Sequence, residues 1–365
     1  MKTLKDFNYQ NKRVLVRCDF NVPLSERGEI LDDFRIRETI PTIEYLINKG
    51  AKVILISHLG RPEGKVIKKY SLKPISQRLE KLLNRKVHPV KSAKGGAAKP
   101  QFNRVKFLDD CIGEKVKKEI EKMEPEDVVL LENLRFYKEE EENGEDFAKE
   151  LAKMGDIFIN DAFATCHRAH ASIVGVPKYL PSGAGILLER EIKSLKKIIE
   201  KPEFPLVAIF GGREANFEVI EKISELAKFI LIGWLIKKEI EERGMVLKYP
   251  EKIIFPIDGI DERGENFDIG KKTIKVFKEK ISQAKTIFWS GPLGKIEEKR
   301  FKKGTEEIAR TIIESGAFSV VGGGETVEFI NKIGLSEKFN HLSTGGGAML
   351  EFLSGEKLPG IEALR

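Results

Sequence analysis

Residues 13–23 read RVLVRCDFNVP, where an apolar, β-branched segment is followed at once by polar residues and a proline. Such a segment predicts a buried strand. In a parallel α/β sheet, the residues just past the carboxyl end of a strand line the ligand crevice. We therefore expect Asp19 and Asn21 to face a ligand, although an Asx-capped turn, which is common, would use the same residue types.

The same arrangement recurs along the first half of the chain. Further buried strands are predicted at 51–57, 128–132 and 156–160, and helices are predicted between them, among others at 71–83 and 145–154. Strands that alternate with helices in this way predict a mostly parallel sheet with helices on its faces.

These strands deliver a set of polar side chains to one side of the predicted sheet. The set is Asp19, Asn21, His58, Arg61, Arg135, His167, Arg168 and His170, and Arg35 joins it from the start of a helix. One arginine at a strand end is usually a surface residue, but four arginines and three histidines at corresponding positions need another explanation. Arginine binds carboxylate and phosphate through paired hydrogen bonds, so the set suits a small, highly anionic ligand. The acidic run at 139–142 is instead predicted to be a solvated face.

Length and composition describe a globular protein with more than one core. A chain of 365 residues predicts two domains, and 41% hydrophobic with 33% charged residues excludes a disordered or membrane-spanning chain. No stretch approaches the roughly 20 apolar residues of a membrane span. The first ten residues contain no apolar signal region, so we expect a cytoplasmic protein. The three cysteines lack metal-ligand spacing and indicate reduced thiols.

The positive charge is unevenly distributed. The formal net charge is +7, and residues 51–100 hold 13 basic but only 2 acidic side chains. A basic region of this kind binds either nucleic acid or a small anion. The chain contains no basic motif interleaved with aromatic residues and no zinc finger, which favours the small anion over a nucleic-acid partner.

The second half of the chain begins a new α/β alternation. Residues 177–181 indicate a boundary, and a helix predicted at 184–199 could bridge two domains. Strands are then predicted at 205–210, 229–233, 286–289 and 318–321. Most of these strands lead into a glycine-rich turn, the layout used where backbone must approach phosphates closely.

Residues 341–353, HLSTGGGAMLEFL, place three glycines at the start of a predicted helix. Ser343 and Thr344 stand where N-cap oxygens belong. The bare amides of Gly345 to Gly347 and the positive end of the helix dipole would together bind a phosphate-like anion. A glycine-rich turn before an ordinary helix is the competing interpretation of the same residues.

Eight motifs spread over nearly the whole chain resemble those of the phosphoglycerate kinase family. They are RVLVRCDFNVPL (13–24), DDFRI (32–36), PTIEYLINKGAKVILISHLGRPEG (41–64), LLENLRFYKEEE (130–141), NDAFATCHRAHAS (160–172), FWSGPLGKIE (288–297), GGGET (322–326) and HLSTGGGAMLEFLSG (341–355). The resemblance implies two doubly wound parallel-sheet, Rossmann-like α/β domains joined by a helix, with a cleft between them. The implied divisions are a substrate domain at 1–182, the helix at 183–200, a nucleotide domain at 201–345 and a returning C-terminal segment at 346–365.

The family resemblance also implies an activity. A phosphoryl group would pass between ATP or ADP and the carboxylate of 3-phosphoglycerate, giving or consuming 1,3-bisphosphoglycerate in glycolysis or gluconeogenesis. Mg²⁺ would accompany the nucleotide, the cleft would close by hinge bending, and the protein would be a cytoplasmic monomer. Phosphoryl transfer depends mainly on positioning and charge neutralisation, which the arginines and glycine loops can supply.

By matching motifs, the resemblance implies a role for each site residue. The residues with substrate roles are Asp19, Phe20, Asn21, Arg35, His58, Leu59, Gly60, Arg61, Arg135, His167 and Arg168. Arg35 would also neutralise the group in transit, and Gly345 and Gly346 would cradle it. The nucleotide residues are Gly211, Gly212, Arg213, Gly233, Trp234, Pro292, Glu297, Gly322, Gly323, Gly324, Glu325 and Thr326. Glu297 would hold the ribose, and Glu325 would be the metal ligand.

The chain departs from the family pattern on the nucleotide side. The family has Gly-Gly-Ala-Lys followed closely by Asp-Lys, whereas residues 211–220 read GGREANFEVI, with Glu214 at the first lysine's place and Arg213 as a possible substitute. Trp234 replaces a glycine-rich loop and could stack on a base or fill its pocket. Ser290 replaces an asparagine, and Glu325 replaces an aspartate with a side chain one methylene longer.

Three hypotheses about function therefore stay open at this point. The first is an active phosphoglycerate kinase with a remodelled nucleotide site. The second is a paralogue that binds phosphoglycerate without competent phosphoryl transfer. The third is a kinase for a related acid or with a different phosphoryl donor.

Overall fold

The computed structural model describes residues 1–86, 105–213, 216–262 and 264–365. The chain divides into two compact units, Met1–Arg190 with Lys357–Arg365, and Glu191–Glu356. Each unit contains one six-stranded parallel sheet. The predicted class, α/β with two parallel-sheet domains, is confirmed. No helix in the described ranges is long and apolar enough to span a membrane.

The sheet of the first unit consists of six parallel strands in the order β3-β4-β2-β1-β5-β6. The strands are β1 (Arg13–Arg17), β2 (Lys52–Ile56), β3 (Lys106–Phe107), β4 (Val128–Leu130), β5 (Ile157–Asn160) and β6 (Ser182–Ala184). In the centre, Val14 pairs with Val53 on one side and with Ile157 on the other. Val14, Leu15 and Val16 are completely buried, as expected for a strand covered on both faces. Full burial of each such side chain contributes about 1.5–3 kcal/mol.

The helices of the first unit pack around this sheet. They are α1 (Phe34–Asn48), α2 (Lys73–Lys86), α3 (Glu114–Glu121), α4 (Lys138–Glu141), α5 (Glu145–Ala152), the beginning of α6 (Ile186–Ile199), and the final helix, α13 (Pro359–Glu362). Helix α13 is fixed to this unit by the Gly360 amide, which donates to the Cys166 carbonyl at 2.8 Å.

The second unit repeats the architecture with the strand order β14-β13-β12-β7-β8-β9 and a separate antiparallel pair, β10-β11. Its strands are β7 (Leu206–Phe210), β8 (Phe229–Ile232), β9 (Ile253–Ile254), β10 (Gly259–Glu262), β11 (Glu265–Ile269), β12 (Thr286–Ser290), β13 (Phe318–Gly322) and β14 (His341–Leu342). Its further helices are α7 (Phe217–Leu226), α8 (Trp234–Glu242), α9 (Lys271–Ile281), α10 (Lys303–Ser315), α11 (Gly324–Lys332) and α12 (Gly346–Ser354).

Helix α6 begins where buried side chains accept its first amides. The Asp161 carboxylate accepts from the Leu187 amide at 2.9 Å and the Leu188 amide at 3.1 Å. The Thr42 hydroxyl accepts from the Ile186 amide at 2.9 Å. These bonds satisfy amides that have no partner within the helix, and the carboxylate also lies at the positive end of the helix dipole. The helix contributes residues to both compact units.

The prediction that the acidic run at 139–142 forms a solvated face is wrong for one residue. Glu140 is completely buried. Its carboxylate accepts hydrogen bonds from the Ser172 amide at 2.9 Å and the Ser172 hydroxyl at 2.6 Å. The short helix α4 turns Glu140 inward, and a distant segment supplies the partners that make its burial possible.

We predict that Asp161→Asn increases stability at high pH. Burial raises the pKa of the Asp161 carboxyl to about 7, although the hydrogen bonds that it accepts act in the opposite direction. An unfolded aspartate ionises near pH ~3.9, so between about pH 4 and 7 the unfolded state releases a proton that the folded state keeps. The stability supported by this group is therefore complete below the unfolded pKa and is lost as the pH rises through the folded pKa.

The asparagine keeps one oxygen acceptor for α6 and cannot ionise. The free energy of unfolding of the variant, relative to the wild type, should increase by about 1–3 kcal/mol between pH 4.5 and pH 8, measured by urea denaturation. Asp109→Asn, at an exposed carboxylate paired with Lys115, is the control and should lack this rise. A difference for Asp161→Asn that does not vary with pH would contradict the prediction.

Candidate functional site

The carboxyl ends of β1, β2, β4 and β5 carry the polar residues of the first unit. Asp19 follows β1 and is nearly buried, and its carboxylate lies 2.5 Å from the Arg35 guanidinium at the start of α1. The Arg35 side chain remains 28% exposed, so its charge reaches both Asp19 and the solvent-facing side. The structure thus brings the β1 end and the α1 start together, as predicted.

The loop after β2 is held by side chains from the neighbouring strand ends. The Gly60 amide donates to the Asn21 side-chain oxygen at 2.9 Å, and the Gly60 carbonyl accepts from the Arg135 guanidinium at 2.8 Å. The Asn133 side chain bonds both the amide and the carbonyl of Leu59, at 3.3 and 2.7 Å. Asn21, Gly60 and Arg135 therefore meet, although they lie far apart in sequence.

Several predicted residues have more local partners. The buried Phe20 donates its amide to the Ser57 hydroxyl at 2.9 Å. The Arg168 Nε donates to the His167 Nε2 at 3.2 Å, and Arg168 is half-buried. Arg61 follows the same β2 end but is exposed. Its place in a common site stays a prediction.

The histidines of this cluster contribute hydrogen-bonding groups more than positive charge. Burial lowers the pKa of His58 well below its usual value, and the nearby positive charges of Arg17, Arg135 and Arg35 lower it further. Burial and neighbouring arginines likewise lower the pKa of His170 to about 3. The pKa of His167 is also lowered, chiefly by burial. The rings are therefore neutral near pH 7, and the arginines carry the charge.

Three residues that support the cluster were missed at the level of sequence. Arg17 and Glu140 are completely buried, with 3.8 Å between guanidinium and carboxylate. Asn133 is also completely buried. Arg17 and Asn133 each stand within two residues of a predicted site residue in a quoted motif, and that adjacency is the signal that could have identified them.

The arrangement of this cluster can bind an anion. Its buried arginines and half-exposed Arg35 concentrate positive charge, and only part of it is paired with carboxylates. Arg135 is nearly buried, with Nε 3.2 Å from the Glu141 carboxylate. The Nδ1 atom of His170 is buried and has no hydrogen-bond partner in the described part of the chain. Buried polar groups are normally satisfied, so this atom is consistent with a missing polar ligand.

In the second unit, glycine-rich turns follow the corresponding strand ends. The Gly211 amide donates to the Ser290 carbonyl at 2.9 Å, and the Gly212 amide donates to the Pro292 carbonyl at 2.8 Å. A Cβ on Gly211 would lie 2.2 Å from the Pro292 oxygen, so only glycine fits there. The turns after β7 and β12 therefore pack backbone against backbone, which leaves main-chain groups close to any ligand at this edge.

A cavity of about 530 Å³ lies beside these turns. Its lining includes many of the predicted nucleotide residues, namely Gly212, Arg213, Gly233, Trp234, Pro292, Glu297 and Glu325. The Trp234 Nε1 donates to the Asp258 carbonyl at 3.2 Å, which fixes the indole at the start of α8. The cavity remains open next to Trp234, so this side chain forms a wall of the cavity and does not fill it.

Residues of both positive and negative charge line the cavity. The Arg213 guanidinium lies 4.0 Å from the Glu297 carboxylate, and both side chains are more than half exposed. Pairs this exposed contribute little to stability, so Arg213 is available to a ligand. Glu214, which stands where the family has its first lysine, lies outside the described residues. Glu325 is in the first turn of α11.

The glycine cradle at the start of α12 is built differently from the expectation. The N-cap is Gly345, and no side chain in the part of the sequence that the structure describes caps the helix. The Ser343 hydroxyl accepts from the Gly345 amide at 3.2 Å, but Thr344 donates its amide and hydroxyl to Glu191, at 2.7 and 2.8 Å. The interpretation of Thr344 as a capping residue is therefore wrong, because a buried carboxylate on α6 takes its donors.

Glu191 was also missed, and its side chain fixes the segment that leads into the glycine cradle. Its carboxylate is completely buried and lies 2.6 Å from the His341 Nε2. The same carboxylate accepts the Thr344 donors, so one side chain fixes the chain on both sides of Ser343. The amides after Gly345 then point to the helix N-terminus without a capping side chain, the arrangement that binds phosphate.

The remaining predicted residues lie next to the cradle. A Cβ on Gly346 would be 3.8 Å from the Gly323 Cα, which places the starts of α12 and α11 side by side. Gly322 packs against Met349, and Gly324 is the first residue of α11. The Thr326 hydroxyl is buried and has no hydrogen-bond partner in the residues that the structure describes.

The side chains present suit a magnesium ion only if the nucleotide supplies other ligands. In the described ranges, no group of three or more His, Cys, Asp or Glu residues could hold a metal ion. Glu325 is one carboxylate on the cavity wall. Mg²⁺ commonly binds one or two carboxylates together with waters and substrate phosphates, so Glu325 fits such a shared site.

Comparison with known proteins connects these two sites to one family. The family model described as phosphoglycerate kinase matches residues 4–242 and 236–356. The phosphoglycerate kinase of Borrelia hermsii is 43% identical over 407 residues, covering 100% of this chain and 99% of the relative.

Solved structures agree with this match. The crystal structure of phosphoglycerate kinase from Pyrococcus horikoshii OT3 has a TM-score of 0.86 and 31% identity, covering 100% of this chain and 98% of the other. The structure of phosphoglycerate kinase from Coxiella burnetii has a TM-score of 0.78 and 32% identity, covering 99% and 98%. The chain belongs to the phosphoglycerate kinase family.

Proposed function

We propose that this protein transfers a phosphoryl group between ATP and the carboxylate of 3-phosphoglycerate, and back from 1,3-bisphosphoglycerate to ADP. In the forward step a carboxylate oxygen bonds to the γ-phosphorus, the bond from that phosphorus to the bridging oxygen breaks, and ADP leaves. The observation that carries the proposal is the arginine cluster at one sheet edge of the first unit. We further propose a role in glycolysis or gluconeogenesis, as a cytoplasmic monomer.

On the substrate side, the arginines bind the two anionic ends of 3-phosphoglycerate. Arg135 and Arg168 are held in place by Gly60 and His167, and their charges lie near the buried histidines. Neutral His58 and His167 donate or accept hydrogen bonds without adding charge. Arg35, tethered by Asp19, neutralises charge on the group in transit, which is the contribution expected of an arginine in phosphoryl transfer.

On the nucleotide side, backbone amides supply many of the hydrogen bonds to the phosphates. The turn glycines at 211–212 and 322–324 approach the phosphates. The main-chain amides at Gly345 and Gly346, of which the Gly345 amide donates to the Ser343 hydroxyl in this structure, stabilise the transferring group. The Trp234 indole stacks on the base, and the Glu297 carboxylate accepts hydrogen bonds from the ribose hydroxyls. Glu325 would hold Mg²⁺, which supplies charge neutralisation between the phosphates when bound. Arg213 contributes the side-chain charge that the missing lysines would have given.

A second candidate is a protein that binds 3-phosphoglycerate without transferring phosphate. The loss of both nucleotide-side lysines favours it, since it removes positive charge where negative charge is greatest. The full-length match to proteins named phosphoglycerate kinase favours the active enzyme.

A coupled assay of the purified protein with 3-phosphoglycerate, Mg²⁺ and ATP separates these candidates. Turnover with ATP supports the kinase. Tight 3-phosphoglycerate binding by calorimetry without turnover, tested with ATP, GTP and other nucleoside triphosphates, would support the binding protein instead. Turnover only with another acid or another donor would identify a kinase of different specificity.

We predict that Arg35→Ala reduces kcat by at least about a hundredfold, because the variant lacks the charge that stabilises the transferring group. The fold should persist, since the Arg35 side chain is 28% exposed and lies outside the buried apolar core. Arg37→Ala on the same helix, where Arg37 pairs with Asp33, is the matched control and should keep kcat near that of the wild type. An Arg35→Ala enzyme with an unchanged rate would contradict the assignment of the whole cluster.

We predict that Arg213→Ala raises the KM for ATP about tenfold, which corresponds to about 1.4 kcal/mol. The guanidinium lies in the cavity wall, and its ion-pair partner among the described residues is the exposed Glu297 carboxylate at 4.0 Å, so its charge is available to a ligand. Arg310→Ala, an exposed arginine on α10 paired with Glu306, controls for loss of surface charge. Equal KM values in the two variants would exclude Arg213 as a substitute for the lysines.

We predict that saturating ADP changes the fluorescence of Trp234. The chain has two tryptophans, and Trp289 is completely buried in β12, so a response at the cavity belongs to Trp234. Stacking of a base on the half-exposed indole should quench its emission. The Trp234→Phe variant should lose the response while it retains nucleotide binding by calorimetry. No response in the wild type at saturation would rule out stacking on this ring.

A further inference from the structure

Four buried side chains in the first unit form a continuous hydrogen-bonded chain that ends at a proposed substrate residue. The Ser172 hydroxyl contacts the Glu140 carboxylate at 2.6 Å, and the Arg17 Nε contacts the same hydroxyl at 2.8 Å. The Arg17 Nη2 then contacts the His58 Nδ1 at 3.2 Å. All four residues are at most 3% exposed, so solvent does not compete for these bonds.

Chemistry fixes the direction of each bond in this chain. Arginine only donates and a carboxylate only accepts. The Ser172 hydroxyl must therefore donate its single proton to Glu140, and its oxygen accepts from Arg17. By the same rule, the His58 Nδ1 accepts from Arg17 and cannot carry a proton itself.

We propose that Glu140, Ser172 and Arg17 are positioning residues that hold His58 in the tautomer protonated on Nε2. The ring then presents an N–H donor on its other side, which is the group that an anionic substrate requires. The inference rests on the proposed function for the identity of that substrate, 3-phosphoglycerate. The tautomer itself follows from the protein alone.

The contacts of these hydrogen-bonded residues explain why each of them is needed. Arg17 is anchored by more than the histidine, because its Nη1 also donates to the Cys18 carbonyl. Glu140 places a negative charge 3.8 Å from Arg17 and also accepts a hydrogen bond from the Ser172 amide. A buried guanidinium without such a partner would be strongly destabilised. The carboxylate therefore keeps Arg17 in place, and Arg17 determines the donor face of His58.

A purely structural interpretation of the same residues is that they only stabilise the buried core. That interpretation makes no demand on which ring nitrogen of His58 carries the proton. The tautomer is therefore the property that distinguishes a positioning role from a structural one. Loss of this tautomer should weaken substrate binding more than turnover, because the proposed function gives His58 a role in binding the acid and not in stabilising the group in transit.

Nitrogen-15 NMR of protein labelled at histidine measures the tautomer directly. The polypeptide has only five histidines. The signals of His58 are those that disappear from the spectrum of the His58→Gln variant. In the ligand-free wild type at pH 7, the long-range proton–nitrogen correlations should show Nε2 protonated and Nδ1 unprotonated. A His58 ring protonated on Nδ1, or on both nitrogens, would overturn the proposal, whether or not the protein has kinase activity.

The variant Ser172→Ala removes one oxygen atom and so interrupts the hydrogen bonds that connect Glu140 to Arg17. We expect a mixed His58 tautomer, a KM for 3-phosphoglycerate raised about tenfold, and a kcat within about twofold of the wild type. Ser76→Ala, which removes another buried hydroxyl of the same unit, bonded to the Lys73 carbonyl within its own helix, should change none of these values. An unchanged tautomer and KM in Ser172→Ala would overturn the proposal. If that variant fails to fold, the wild-type spectrum still decides the outcome.

Discussion

In each unit all strands of the large sheet run parallel, so their carboxyl ends meet at one edge, and the chemistry of the molecule depends on that constraint. It brings Asn21, Gly60 and Arg135 into contact from three different strand ends. In the second unit it packs the turn at Gly211 against the turn at Pro292. The central strands β1, β7 and β12 are buried at all but one terminal residue or at every residue, so packing depends on the strands and the chemistry depends on the residues that follow them.

The proposed function gives the two units different physical means for binding anionic ligands. The first concentrates arginines, and burial keeps its histidines neutral, so that charge and hydrogen-bond donors are supplied by different side chains. The second would rely on main-chain amides exposed by glycine, with Arg213 as the cationic side chain proposed for the phosphates. Main-chain amides bring no ionised side chain into the site, and no side chain of the described residues caps the start of α12.

Much of the fold could be predicted from sequence because apolar runs and their polar ends recur with regular spacing. The predicted strands around 13–17, 51–57 and 206–210 all occur, and the side chains after them lie at the expected edge. The buried carboxylates of Glu140 and Glu191 could not be predicted, because their burial depends on partners at Ser172 and His341, far away in sequence. The sequence pattern places Thr344 at a helix cap for the same reason. Whether its donors bond neighbouring groups or a distant carboxylate depends on the tertiary structure.

The most direct test of the central claim is the formation of ATP from ADP and freshly generated 1,3-bisphosphoglycerate, followed by luminescence with the purified wild-type protein. The account predicts sustained, Mg²⁺-dependent ATP synthesis that saturates with both substrates. Absence of ATP formation above the level without protein, at concentrations where calorimetry shows both ligands bound, would contradict it.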